Sequence, residues 1–202
     1  VGLWPGLWER VFGVAVDVGS TTVAAHLCDL SSGEVLASRG VMNPQIRFGE
    51  DLMSRVSHVM LNPGSDAEMT RVVRQAVDGM IGELVAEVEA SPEDVLEVVL
   101  VANPIMHHLF LGLSPVELGM APFALATDGA VSVKATDLDL GLHPAARAYW
   151  LPCIAGHVGA DAAGMLLAEA PWEREATTLL VDVGTNAEII LSGGGRLLAA
   201  SS

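Results

Sequence analysis

Two short segments of the chain set a carboxylate, a glycine and small hydroxyl or amide side chains in close succession: Asp17-Val18-Gly19-Ser20-Thr21-Thr22 and Asp182-Val183-Gly184-Thr185-Asn186. Each follows a short apolar run, so each Asp closes a strand and each glycine opens a tight bend. At such a bend, exposed backbone N–H groups can hold phosphate oxygens, and the adjacent carboxylate can hold a hydrated magnesium ion. Glycine suits a backbone that approaches an anion, because a side chain would block it. One Asp-x-Gly-Ser/Thr bend is also what an ordinary hairpin with an Asp-bonded turn contains. Two of them, at Asp17 and Asp182, each opening its own set of strands, suit a cleft that grips phosphates from both sides. The expected phosphate contacts are Gly19, Ser20, Thr21 and Thr22 on one side and Gly184, Thr185 and Asn186 on the other, with Asn186 alternatively a support of its turn. Asp17 and Asp182 are the expected magnesium-holding, catalytic carboxylates. Glu188 is a third catalytic candidate, able to orient an attacking water or contact magnesium, its alternative being a solvated strand carboxylate.

The elements around these turns follow from hydrophobic periodicity. Residues 11–18, 23–30 and 34–42 read as a three-strand meander with the first phosphate turn at its first bend. Residues 50–61 have apolar side chains at helical spacing and stop at Asn62-Pro63-Gly64. A longer amphipathic helix follows from Met69 to Val88, with Asp66 as its expected cap. The β-branched run 95–102 reads as a buried parallel strand, and 103–111 as a short helix. Short strands are expected at 131–133 and 148–151, then a helix over 156–170, stopped by Pro171 and carrying Asp161 near its start. Residues 177–183, 188–191 and 196–200 form a second meander, so the opening pattern recurs as an internal structural duplication.

Composition narrows the function classes. The chain has 202 residues, enough for a sizeable core, and 51% of them are hydrophobic, yet no apolar run reaches the roughly 18 to 20 residues of a membrane span. No signal peptide is visible at Val1-Gly2-Leu3-Trp4-Pro5, so a cytoplasmic protein off the membrane is expected, beginning inside a longer chain. A formal charge of -15 with ten scattered Lys and Arg argues against nucleic acid as a partner. Cys28 and Cys153 are far apart and suggest neither a disulfide framework nor a metal cage. His107 and His108, adjacent on a helix and pointing about 100 degrees apart, read as core or subunit-contact residues rather than joint ligands of one ion. The polar segment holding Asn43, Gln45, Arg47 and Asp51 reads as a partner surface or domain-closing contact, or as a solvated loop.

Five ordered segments carry a resemblance. Gly13-Val14-Ala15-Val16-Asp17-Val18-Gly19-Ser20-Thr21-Thr22-Val23-Ala24, Asn43-Pro44-Gln45-Ile46-Arg47-Phe48-Gly49-Glu50-Asp51, Met106-His107-His108-Leu109-Phe110-Leu111-Gly112, Gly156-His157-Val158-Gly159-Ala160-Asp161 and Asp182-Val183-Gly184-Thr185-Asn186-Ala187-Glu188 together resemble the reductive activators of corrinoid proteins. The likeness covers the chain from Val11 onward. It implies an α/β, ribonuclease-H-like fold of the actin, sugar-kinase and chaperone-ATPase (ASKHA) class. Residues 1–10 would end a linker, 11–154 form a first lobe, and 155–202 form a bridging helix with the first strands of a second lobe. It also implies ATP and Mg2+ as ligands, a corrinoid protein as partner, and a [2Fe-2S] cluster in an upstream ferredoxin domain outside this chain. ATP hydrolysis would drive electron transfer onto cobalt. A homodimer is compatible with this reading, and the chain alone is expected to be inactive. Where the family usually reads Gly-Asn-Thr-Thr, this chain has Ala102-Asn103-Pro104-Ile105, with two hydroxyls and one backbone donor fewer. A small-molecule kinase of the same superfamily and a nucleotide-sensing module without turnover are the competing readings.

Overall fold

Valine at every second position from Val14 to Val18 buries one face of the first strand, β1 (Phe12–Val18), while Ala15 and Asp17 point the other way. In the computed structural model, which describes residues 10–184 and 186–201, β1 lies inside a six-stranded sheet. It pairs antiparallel with β2 (Thr22–Asp29), which pairs antiparallel with β3 (Val35–Met42). On its other side β1 runs parallel to β4 (Val95–Val101), and β4 runs parallel to β6 (Arg147–Trp150). The edge strand β5 (Val131–Lys134) closes the order β3-β2-β1-β4-β6-β5. The meander, the parallel strand 95–102 and the two short strands are all where the periodicity puts them.

The crossover from β3 to β4 is helical. Helix α1 (Leu52–Leu61) starts two residues later than expected, because the Asp51 side chain accepts from the Ser54 N–H at 2.7 Å and sets the cap there. Helix α2 (Ser65–Glu87) lays Met69, Val73, Val77, Met80, Ile81 and Leu84 onto β2 and β3. Its cap is Gly64 at φ 91, not Asp66; Asp66 sits in the first turn, where its charge still favours the helix dipole. Helix α3 (Pro104–Leu111) is buried on nearly all sides, as expected for a helix under a parallel sheet. There His107 meets Trp150 edge-on at 5.0 Å.

Beyond β6 the chain builds helix α4 (Ala160–Glu169), which begins four residues later than periodicity suggests because Ala155 and Val158 first form a small antiparallel bridge. A three-stranded antiparallel sheet follows: β7 (Thr178–Val183), β8 (Ala187–Gly193) and β9 (Arg196–Ser201). The β8–β9 bend turns on Gly194 and Gly195 at φ 56 and 71, the left-handed pair that a two-residue hairpin needs. One side of α4 packs Ala160 and Ala163 against Leu151, Cys153, Val99 and Val101, while Ala162 packs with Val158 and Ile190 of β8. Helix α4 therefore touches both sheets.

Candidate functional site

β1 delivers Asp17 to the end of the large sheet, and Gly19 and Ser20 follow in its turn. A side chain at Gly19 would put a Cβ 2.4 Å from the Thr22 carbonyl oxygen, so only glycine fits this bend. β7 delivers Asp182, whose register partner on β8 is Glu188. Like charges directly across an antiparallel pair are destabilising, and a fold that keeps them has a use for them or a means of offsetting them. The Gly184 N–H closes the second turn on the Asn186 carbonyl at 2.9 Å.

The two turns meet. A cavity of about 130 Å³ takes Asp17, Gly19 and Ser20 from one side and Asp182, Gly184, Asn186 and Glu188 from the other. Asn103 and Asp161 complete its wall. Thr21 and Thr22 are exposed and are not in the wall; Thr22 instead opens β2, paired with Met42. Thr185 lies outside the described residues. A second cavity of about 400 Å³ adjoins the first, sharing Asn103, Asn186 and Glu188 and reaching Asp51, Ile105 and His157. Among the described residues, no Lys or Arg lines either cavity.

Crowding these acids together moves their protons. Burial, and then the charge of Asp182, pushes the Asp17 carboxyl above its ordinary range, although part of that side chain faces solvent at the cavity mouth. Asp161 is pushed up to about 7 by burial, with Glu188, Asp17 and Asp182 adding repulsion against the pull of the Ala162 N–H. Glu188 is 7% exposed; burial and Asp182 raise it, and the Ser201 hydroxyl, donating to its Oε1 at 3.2 Å, holds it partly back. An added cation would relieve all three. Among the described residues, however, no three His, Cys, Asp or Glu side chains close around one point as a self-sufficient metal site would. The arrangement suits an ion held mainly by water and phosphate, as magnesium usually is.

The polar segment 43–51 is half buried, with Arg47 and Asp51 exposed. Asn43 and Gln45 are fully buried, not solvated, and the Asn43 side chain donates to the Gly19 carbonyl at 2.8 Å. Asn103 caps α3 by accepting from the Met106 N–H at 3.0 Å, and Pro104 stands at the first helical position, where a backbone donor would have had no helical partner. Periodicity alone missed Arg55. It is fully buried and donates to the Ser20 carbonyl at 2.5 Å. The signal was present on the helix face: Arg55 falls three residues after Leu52 and four before Val59, both on the inner side of α1.

The family described as the RACo middle region matches residues 12–170. This chain belongs to that family. Curated relatives extend the match beyond residue 170. The corrinoid activation enzyme RamQ of Eubacterium limosum is 32% identical over 194 residues, 96% of this chain and 32% of that protein. The [Co(II) methylated amine-specific corrinoid protein] reductase of Methanosarcina barkeri is 24% identical over 203 residues, 95% of this chain and 36% of that one. The chain thus spans about a third of the length of these relatives. A solved structure named reductive activator for corrinoid, iron-sulfur protein superposes with a TM-score of 0.93 at 32% identity, over 97% of this chain and 31% of that one. A Sinorhizobium meliloti protein named as a 2-dehydro-3-deoxygalactonokinase shares the fold alone, at a TM-score of 0.50 and 14% identity over 93% of this chain and 52% of that one. The RACo-family chain has the α/β, actin-like and sugar-kinase-like fold that its motifs implied.

Proposed function

We propose that this chain is the phosphate-gripping part of an ATP-dependent reductive activator of a corrinoid protein. The observation that carries the reading is that the Asp17 and Asp182 turns, distant in sequence, line one cavity. In this proposal residues 11–154 act as one lobe, and 155–202 supply the bridging helix and the first strands of another. Nucleotide phosphates lie between Gly19 and Ser20 on one side and Gly184 to Asn186 on the other. Asp17 and Asp182 would hold the accompanying Mg2+, which would neutralise phosphate charge. The raised pKa values of Asp17 and Glu188, lifted first by burial and then by the charge of Asp182, support this fit, since a cation there would favour both ionised carboxylates. Glu188, nearly buried and oriented by Ser201, is placed to align an attacking water, and Asp161 can accept a proton near neutral pH.

Because each turn belongs to a different sheet and α4 packs on both, a phosphate bridging them changes how the sheets sit relative to one another. In an activator, that movement would alter the grip on the corrinoid protein, and hydrolysis would make the electron's passage to cobalt one-way. The names of the relatives support the corrinoid partner. The two cysteines, Cys28 and Cys153, fall short of the four thiolates that a [2Fe-2S] cluster takes, so no electron carrier is assigned to these residues. Among the described residues no helix is long and apolar enough to cross a membrane.

Steady-state ATP hydrolysis by the full-length protein, with and without its corrinoid protein, tests the proposal. Stimulation by the partner is the expected result. Phosphoryl transfer to a small hydroxy compound would make the protein a kinase, and tight ATP binding without turnover would make it a sensing module.

A further inference from the structure

The first phosphate turn is held from behind, one carbonyl after another. The Asn43 side-chain amide donates to the Gly19 oxygen at 2.8 Å, Arg55 Nη2 donates to the Ser20 oxygen at 2.5 Å, and the Asn43 backbone N–H donates to the Thr21 oxygen at 2.7 Å. The Gly19–Ser20 and Ser20–Thr21 peptide bonds are trans, the cis bond among the described residues being Ala121–Pro122. In a trans peptide the N–H points away from the C=O of the same unit. Fixing the Gly19 and Ser20 carbonyls on the protein side therefore turns the Ser20 and Thr21 N–H groups to the opposite side, and Gly19 and Ser20 line the cavity.

The cation beneath the turn is unusual. Arg55 is fully buried, and its hydrogen bonds go to neutral acceptors: the Ser20 and Gly49 carbonyls, Gln45 Oε1 at 3.4 Å and Met106 Sδ at 3.0 Å. Burial draws its pKa down to about 10, with Asp51 opposing, so it stays charged at neutral pH. Among the described residues no carboxylate forms a direct ion pair with Arg55, Asp51 acting on it only at longer range; a buried charge so placed is costly, and an anion brought to the turn would offset that cost. Asn43 also accepts from the Gln45 N–H at 2.9 Å, and Met106 from α3 approaches both side chains. Two of the five segments that mark the family, 43–51 and 106–112, thus converge behind the turn carried by a third.

We infer that Arg55 and Asn43 are positioning residues for the nucleotide phosphates: they lock the turn at Gly19 and Ser20, where it lines the cavity, and Arg55 supplies the buried positive charge that the cavity wall lacks. The inference rests on the phosphate reading above. It is tested in the full-length protein by calorimetric Mg-ATP affinity and by hydrolysis kinetics for wild type, Arg55→Met, Arg55→Lys, Asn43→Asp and Asp17→Asn, each checked for folding by circular dichroism. Arg55→Met should weaken Mg-ATP binding at least tenfold, with KM rising more than kcat falls. Arg55→Lys should recover part of the loss, because it keeps the charge but cannot reach several acceptors at once. Asn43→Asp keeps the acceptor for the Gln45 N–H but loses the donor to the Gly19 oxygen and to Met106 Sδ and brings in a buried carboxylate; folded, it should weaken binding, and it decides the matter if Arg55→Met does not fold. Folded Arg55→Met or Asn43→Asp protein that binds Mg-ATP within twofold of wild type, while Asp17→Asn abolishes binding, overturns the inference and leaves the phosphate site standing. Wild-type protein without Mg-ATP affinity removes the site itself.

Discussion

Among the described residues Asp161 has no salt-bridge partner to explain its retention at a crowded wall, and the cost of keeping it there is measurable. Burial, followed by Glu188, Asp17 and Asp182, lifts its pKa to about 7, against about 3.9 in an unfolded chain. Between roughly pH 4 and 7 the folded protein holds a proton that the unfolded chain has released, so this group's contribution to stability falls as pH rises across that window. His107 acts in the opposite sense: burial and then His108 lower its pKa to about 4, so stability is lost as pH falls from about 6.5 to 4. Asp161→Asn keeps an acceptor for the Ala162 N–H, at 2.7 Å, and removes the charge. In urea titrations without ligand, the stability difference between this variant and wild type should be near zero at pH 4 and reach about 1–3 kcal/mol in the variant's favour by pH 7.5, after discounting for solvent screening. A difference that does not change with pH would remove Asp161 from the acid cluster. Asp17, Asp182 and Glu188 were legible in the sequence because strand, carboxylate and glycine are adjacent there. Arg55 was not, because its partners are backbone carbonyls at residues 20 and 49, a relation that only folding creates.

Helix α4 shows how an element fixes the site. Its first amides, from Ala160 and Asp161, both donate to the Ala102 carbonyl at the end of β4, at 2.8 and 3.2 Å. Gly159 allows that approach: a Cβ there would lie 2.5 Å from the Ala102 oxygen and 2.7 Å from Asn103 Cα. Gly159→Ala should therefore destabilise the protein by about 1–3 kcal/mol, through displaced backbone rather than lost apolar area. Gly79→Ala is the control, since Gly79 lies within α2 with nothing inside 4 Å of the added Cβ, and it should stabilise by about 0.5–1 kcal/mol. Denaturation midpoints that moved the same way in both variants would contradict this account of α4. Strands and helices were readable here wherever periods of two or 3.6 residues ran uninterrupted, as in β1 and α2. Starts were misread where side-chain or glycine geometry overrode the period: Asp51 delays α1, Gly64 replaces Asp66 as the cap of α2, and the Ala155–Val158 bridge delays α4.

At the scale of the molecule, a duplicated strand-turn-strand pattern places two acidic bends, one from each sheet, against a common cavity in a protein of formal charge -15. The duplication was visible in the sequence and gave the expectation of one shared cleft; the packing that brings the bends together, α4 against both sheets, was not. The most direct test is a double-mutant cycle on Mg-ATP affinity in the full-length protein, using Asp17→Asn, Asp182→Asn and the pair together. If the two turns grip one phosphate-bound ion, each single change should weaken binding at least tenfold, and the pair should lose at least about 0.5 kcal/mol less than the sum of the two. Losses that simply add, or an Asp182→Asn protein that binds as tightly as wild type, would contradict a shared site.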